Sequence, residues 1–227
     1  MKELSLIVAV LESHEVVRRQ LLHLERILTP ECELILVDDG SMPPLRAICD
    51  AVKKSFDFTL HCTNDRRPWT QPRARNIAAK LAHAPRLLFF DIDHIVTRSV
   101  LLECLRYAGD KLHWTRRPGV LNAEGAIVTD REVLLEHGLA AQGPGVHANS
   151  FMIRAELFKR LGGYDERFCG RYGGDDIDFN ARFEELCRRG QAKPADVAGE
   201  GFFYPDPAVD KALFHSLKRY LERVPPR

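Results

Sequence analysis

The chain has 227 residues, 33 Lys+Arg against 32 Asp+Glu for a formal net charge of +1, and is 45% hydrophobic and 29% charged. That balance excludes a disordered or fibrous chain and argues against a general polyanion binder. It suits one compact domain, because single cores grow to roughly 250 residues before chains divide. No apolar run approaches the ~20 residues of a membrane-spanning helix. The longest, Leu4 to Leu11, is interrupted by Ser5 and lacks the basic flank and small-residue cleavage site of a secretory leader. Six cysteines (32, 49, 62, 104, 169 and 187) are scattered without CxxC pairs, which reads as reduced packing thiols and a cytoplasmic protein.

The first hundred residues alternate strand and helix signals. Leu4 to Leu11 is short enough for a buried strand, and Glu15 to Leu28 carries Leu21, Leu24 and Leu28 at helical spacing. Glu33 to Val37 is a second strand, a helix follows from about Pro44, and Phe58 to Cys62 is a third strand. Pro72 to Ala82 predicts a helix, and Arg86 to Phe90 a strand running into Asp91. Alternating β and α units predict an α/β fold, a mostly parallel central sheet flanked by helices. Ligands of such sheets sit at the carboxyl ends of the strands. Beyond Asp93 the alternation weakens: Ser99 to Ala108 is helical, Val120 to Val128 holds strands, and Gln142 to Gly145 is a mobile Gly/Pro loop. Asn149 to Ile153 is a short strand, Ala155 to Leu161 a helix, and Asp175 to Arg189 a helix stopped by Gly190. A last helix is expected from Ala208 to about Arg223. The division is residues 1–98 and 99–227 of a single domain.

Polar residues at predicted strand ends carry the chemistry. Asp91-Ile92-Asp93 follows an apolar strand, and two carboxylates at alternate positions can converge on Mg²⁺ or Mn²⁺, which also take diphosphate oxygens; a capped turn explains the same residues. Val37-Asp38-Asp39-Gly40-Ser41 offers carboxylates to a base N–H or a ribose hydroxyl, and it is equally good chemistry for an Asx turn. Arginines cluster from Arg66 to Arg75 around Trp69, and Arg75 projects from a helix that packs between strands. In the predicted helix after Gly173-Gly174, Phe179, Phe183, Leu186 and Cys187 form the apolar face. Asp176 falls within about 20° of that face and Asp175 about 40° from it, so both aim inward at a positive helix terminus. Capping explains Asp175; a poised carboxylate base explains Asp176. His215 can complete a metal site begun by Asp93, with His94 and His147 as secondary imidazoles.

In this order the segments resemble a GT-A glycosyltransferase of the family 2 type, over roughly residues 4 to 216. The resemblance implies that Val10, Asp38, Asp39, Arg75, Asp91, Ile92 and Asp93 bind a nucleotide diphosphate sugar, and that Asp93 with His215 holds Mn²⁺ or Mg²⁺. The stretch from Asn149 through Gly162-Gly163-Tyr164-Asp165 to Gly173-Gly174-Asp175-Asp176 is similar to the acceptor region of β-1,4-galactosyltransferases and polypeptide GalNAc-transferases. By that likeness Asp176 is the catalytic base, while Asp175, Tyr172 and Gly174 meet the acceptor. Ala9 replaces the usual proline after the first strand, and Asp175 stands where galactosyltransferases carry Glu.

The implied activity is metal-dependent, inverting sugar transfer from a nucleotide diphosphate sugar, UDP-linked, to an acceptor hydroxyl. The loop from Gly143 to His147 would close over the donor. A glycan is the default acceptor, and a modified nucleic-acid base is an alternative that Arg66, Arg67, Arg73, Arg116 and Arg117 could contact through phosphates. Two rivals stand beside it: a haloacid-dehalogenase-like phosphohydrolase using Asp91 and Asp93, and a non-catalytic nucleotide-sugar binding module.

Overall fold

The structure, a computed structural model, describes residues 1–65, 67, 69–170 and 172–203. The expected helix from Ala208 and the candidate His215 lie outside the described residues. Apolar, β-branched runs make β1 (Leu4–Val10) and β2 (Cys32–Asp38), both buried along their whole length. Between them runs amphipathic α1 (His14–Ile27), and α2 (Arg46–Ala51) leads to β3 (Asp57–Cys62). A proline in its first turn suits α3 (Gln71–Leu81), which precedes β4 (Arg86–Phe89). Then come β5 (His94–Ile95) and α4 (Arg98–Arg106), whose N-cap Thr97 accepts from the Val100 amide.

The second half opens with β6 (Lys111–Pro118), the hairpin β7 (Val120–Leu121) and β8 (Ile127–Val128), and α5 (Arg131–Glu136). It continues with β9 (Gly145–Arg154), α6 (Ala155–Arg160), α7 (Asp175–Arg188) and β10 (Asp196–Phe203). The main sheet has eight strands in the order β3-β2-β1-β4-β9-β6-β10-β5. Pairs β2–β3, β1–β2, β1–β4 and β6–β10 are parallel; β4–β9, β6–β9 and β5–β10 are antiparallel. The sheet is therefore mixed, with an all-parallel block to one side of β4. Strands β6 and β10 were not expected from the sequence, and β9 starts at Gly145, inside the stretch expected as loop.

Side-chain alternation splits the core into two layers. Leu4, Leu6, Val8 and Val10 of β1 pack with Val17, Leu21 and Leu24 of α1 and with Val100 and Leu101 of α4. Ile7 and Ala9 face the opposite layer, with Ala74 and Ala78 of α3, Phe151 of β9, Phe158 of α6, and Phe179 and Phe183 of α7. Ser5, which interrupts the apolar run, donates to Glu33 Oε1 at 2.6 Å, and Glu33 also accepts from the His83 amide at 2.7 Å, so this buried polar pair is satisfied. The six cysteines are all free. Among the described residues no helix is long and apolar enough to cross a membrane.

Candidate functional site

A cleft of about 340 Å³ opens at the carboxyl ends of β1, β2 and β4. Val10 supplies its floor, and Asp39, Asp91, Ile92 and Asp93 line it from the parallel block. His147 and Asn149 of β9, Arg116 of β6, and Tyr172, Gly173, Asp175 and Asp176 at the start of α7 line it from the other side. The two acid clusters, far apart in sequence, thus share one cavity.

The β2 end shows how the sequence builds this wall. Gly40 has φ +101, and a Cβ there would meet the Asp65 carbonyl oxygen at 2.8 Å, so only glycine lets the loop after β3 close on the turn. Asp38 serves the turn: its Oδ1 accepts from the Ser41 amide at 2.8 Å and its Oδ2 from the Leu45 amide at 2.9 Å. It is buried and is not among the cleft-lining residues. Asp39 does line the cleft and accepts from the Thr70 amide at 3.1 Å and the Thr63 hydroxyl at 3.2 Å. Burial nevertheless outweighs those bonds and raises its carboxyl to about 7.

Arg75 sits beneath the cleft instead of in it. It is 1% exposed, and its guanidinium pairs with Asp91 Oδ1 through Nη2 while Nη1 lies 3.9 Å from Asp175 Oδ2. Its Cζ lies 5.1 Å from the centroid of the Tyr164 ring. One buried cation therefore joins the acid cluster of β4 to that of α7. Asp175 is the more buried of the α7 pair, and burial raises its carboxyl while Arg75 opposes the rise. Asp176 is half-buried in the cleft wall, with Oδ1 accepting from the Ile177 amide at 2.8 Å. Gly174 caps the helix at φ +92, and a Cβ on it would meet the Phe168 ring at 2.9 Å. Tyr172 packs edge-on to Trp69, with ring centroids 4.5 Å apart.

Among the described residues the potential metal ligands include the two secondary imidazoles, His94 and His147. Asp91, His94 and His147 offer ligand atoms all within 4.8 Å of one another. Asp93 is adjacent, with Oδ1 3.9 Å from His94 Nε2. Arg116 Nη1 can only donate, at 2.7 Å, to His94 Nε2, which leaves His94 Nδ1–H directed at the Ser150 hydroxyl. Burial lowers His94 to about 3 and lowers His147 as well, so both imidazoles are neutral near pH 7. A carboxylate with neutral imidazoles suits a divalent transition metal such as Mn²⁺, and His94 would serve as a ligand only on giving up the Arg116 contact that fills its Nε2. In the sequence both were secondary imidazoles: His94 directly follows the D-x-D, and β9 brings His147 over to it.

Of the arginines considered for nucleic-acid phosphates, Arg67 and Arg73 bind Asp65 at 2.8 and 2.6 Å, and Arg117 binds Glu200 at 2.6 Å. Arg116 alone of the described members enters the cleft; Arg66 lies outside the described residues.

Comparisons with known proteins agree with this fold. Residues 5–162 match the profile of glycosyl transferase family 2. Among solved structures, S. aureus TarS 1-349 in complex with UDP-GlcNAc is similar at 16% identity, with a TM-score of 0.68 over 92% of this chain and 60% of that one. The UDP complex of the same S. aureus TarS fragment gives 19% identity and a TM-score of 0.59 over 90% of this chain and 61% of that one. Mannosyltransferase PcManGT from Pyrobaculum calidifontis, in complex with GDP-Man and Mn²⁺, gives 17% identity and a TM-score of 0.60 over 98% of this chain and 64% of that one. This chain thus spans about three-fifths of the length of those relatives. No curated protein sequence matches it significantly. With a family profile covering most of its length and a cleft at the strand ends where that fold binds ligands, the chain belongs to glycosyl transferase family 2.

Proposed function

We propose that the chain is an inverting glycosyltransferase that moves a sugar from a nucleoside diphosphate sugar, UDP-linked, to an acceptor hydroxyl. One observation carries this reading: Asp39, the Asp91–Asp93 pair and the Asp175–Asp176 pair, from three separate elements, line one cavity. Asp39 at the end of β2 would hold the nucleoside. Asp91, His94 and His147 would hold a divalent cation, Mn²⁺ or Mg²⁺, which when bound neutralises charge on a diphosphate. The expectation of Asp93 as ligand stays within this site, next to His94. Asp176, in the opposite wall, would accept the proton of the acceptor hydroxyl as its oxygen bonds to the anomeric carbon. The bond from that carbon to the diphosphate breaks in the same step, and the diphosphate leaves with the electron pair on the far face. Asp175 and Tyr172 would orient the acceptor, as the likeness to galactosyltransferase and GalNAc-transferase acceptor regions implies.

Residues 1–98 form the donor half of this scheme and 99–227 the acceptor half. A glycan hydroxyl is the acceptor it favours, since two of the arginines considered for phosphates are tied to Asp65 and a third to Glu200. A cytoplasmic location belongs to the same proposal and rests on the thiol chemistry of six unpaired cysteines. The phosphohydrolase alternative finds no support in the family match, and Asp91 Oδ1, its would-be nucleophile, already receives Arg75 and Gln71.

The test is a thermal-shift screen of nucleotide sugars with and without Mn²⁺, followed by transfer assays. A UDP-sugar should raise Tm, more so with Mn²⁺. Asp176→Asn should lose transfer by roughly a thousandfold or more while keeping that shift. Loss of donor binding in the same variant would make Asp176 structural and end its assignment as base.

A further inference from the structure

Outside the cleft, the least expected side chain is Lys111 at the start of β6. It is 1% exposed, and among the described residues it has no carboxylate partner. Three rings surround its ammonium instead, with centroids at 4.3 Å (Phe151), 4.7 Å (Phe183) and 5.6 Å (Phe179). Its hydrogen bond goes to Asn180 Oδ1. Asn180 lies one turn beyond Asp176 in α7, and its Nδ2 donates to the Asp176 carbonyl at 2.8 Å and the Ala148 carbonyl at 3.4 Å. Ala148 stands between His147 and Asn149, both lining the cleft.

A methionine or leucine would fill this apolar site without desolvating a charge, so packing alone does not explain a lysine. Directionality does. An ammonium only donates, so it claims the oxygen of the Asn180 amide and commits the nitrogen to the two carbonyls. A neutral or absent partner would leave that amide able to turn over. We infer that Lys111 and Asn180 are positioning residues, which fix the first turn of α7, with Asp176, against the stretch of β9 that carries His147. The inference rests on the functional reading above only for its catalytic readout; the spacing itself belongs to the fold. Burial lowers the Lys111 ammonium to about 8, which leaves it mostly charged at neutral pH.

The experiment compares the full chain with Lys111→Met, Asn180→Ala and the double variant. Lys111→Met should keep or raise Tm, because a thioether replaces a buried charge, whereas Asn180→Ala should lower it by stranding the ammonium. At saturating Mn²⁺ both should nonetheless lose kcat by a similar factor, roughly ten- to a hundredfold, with donor KM within about twofold. The double variant should be no slower than the slower single one, because the two residues act in series. A Lys111→Met enzyme with unchanged kcat, or effects that multiply in the double variant, would overturn the inference. If Lys111→Met fails to fold, Asn180→Ala alone decides by the same split of kcat from KM. If the wild-type chain transfers no sugar, the functional reading fails and Mn²⁺ affinity by calorimetry becomes the readout. Equal several-fold weakening in both single variants then upholds the positioning role, and unchanged affinity overturns it.

Discussion

The parallel block, β1 to β4, and the mixed block, β5 to β10, solve different problems. In the first, β1 and β2 are buried at every residue, with neighbours on both edges and helices on both faces. In the second, the sheet admits Lys111, His113, His94 and Arg116, and β10 leaves Asp196 and Val197 exposed. The parallel block buries mostly apolar strands, with the satisfied Ser5–Glu33 pair among them, whereas the other block holds charge near the cleft. The cleft sits at their seam, and Arg75 reaches from one block to the acids of both.

The seam should therefore be the most sensitive place to disturb. Arg75→Met leaves Asp91 and Asp175 without their buried counter-charge and should cost about 3–5 kcal/mol in urea unfolding. Adding Asp175→Asn should recover part of that loss; no recovery would dissolve the claim that one cation serves both clusters. Next comes Leu36→Ala in β2, expected to cost about 2–5 kcal/mol through a cavity in the parallel block. A loss under 1 kcal/mol would deny that block its structural primacy.

Asp39 supplies a pH test. Its carboxyl titrates near 7 folded against 3.8 ordinarily, so between those values the folded chain binds more protons and stability falls as pH rises. Asp39→Asn does not titrate. Its Tm advantage over the wild type should widen between about pH 4 and 7 and then level off, and a constant gap would contradict the buried charge. The smallest effect belongs to Val197→Ala on β10, 55% exposed, which should stay within about 0.5 kcal/mol.

Much of the parallel block was legible in the sequence because its strands need no partner outside the pattern: Leu-Ile-Val runs separated by amphipathic turns can only be buried strands and covering helices. β6 hid its nature behind Lys111 and His113, which pack on rings supplied by α7 and β9, and behind two arginines, Arg116 and the exposed Arg117. β10 contains Gly199 and Gly201 and forms by pairing with β6, a tertiary cause that no local window contains. At the site, helical periodicity placed both α7 acids inward, yet gave Asp176 the deeper position that Asp175 in fact holds. The reason is Arg75, a partner from another helix. Likewise Asp38 and Asp39 look alike in sequence, and only the loop geometry sends one to the turn and the other to the cleft.

The two glycines before α7 have a practical corollary. Gly173 and Gly174 hold φ values of +87 and +92, so almost any replacement at either would shift the helix that carries both acids. Variants that probe the proposed acceptor side of the cleft should therefore spare that pair and change its flanks, Tyr172 and the 72% exposed Ile177, where no positive φ is required.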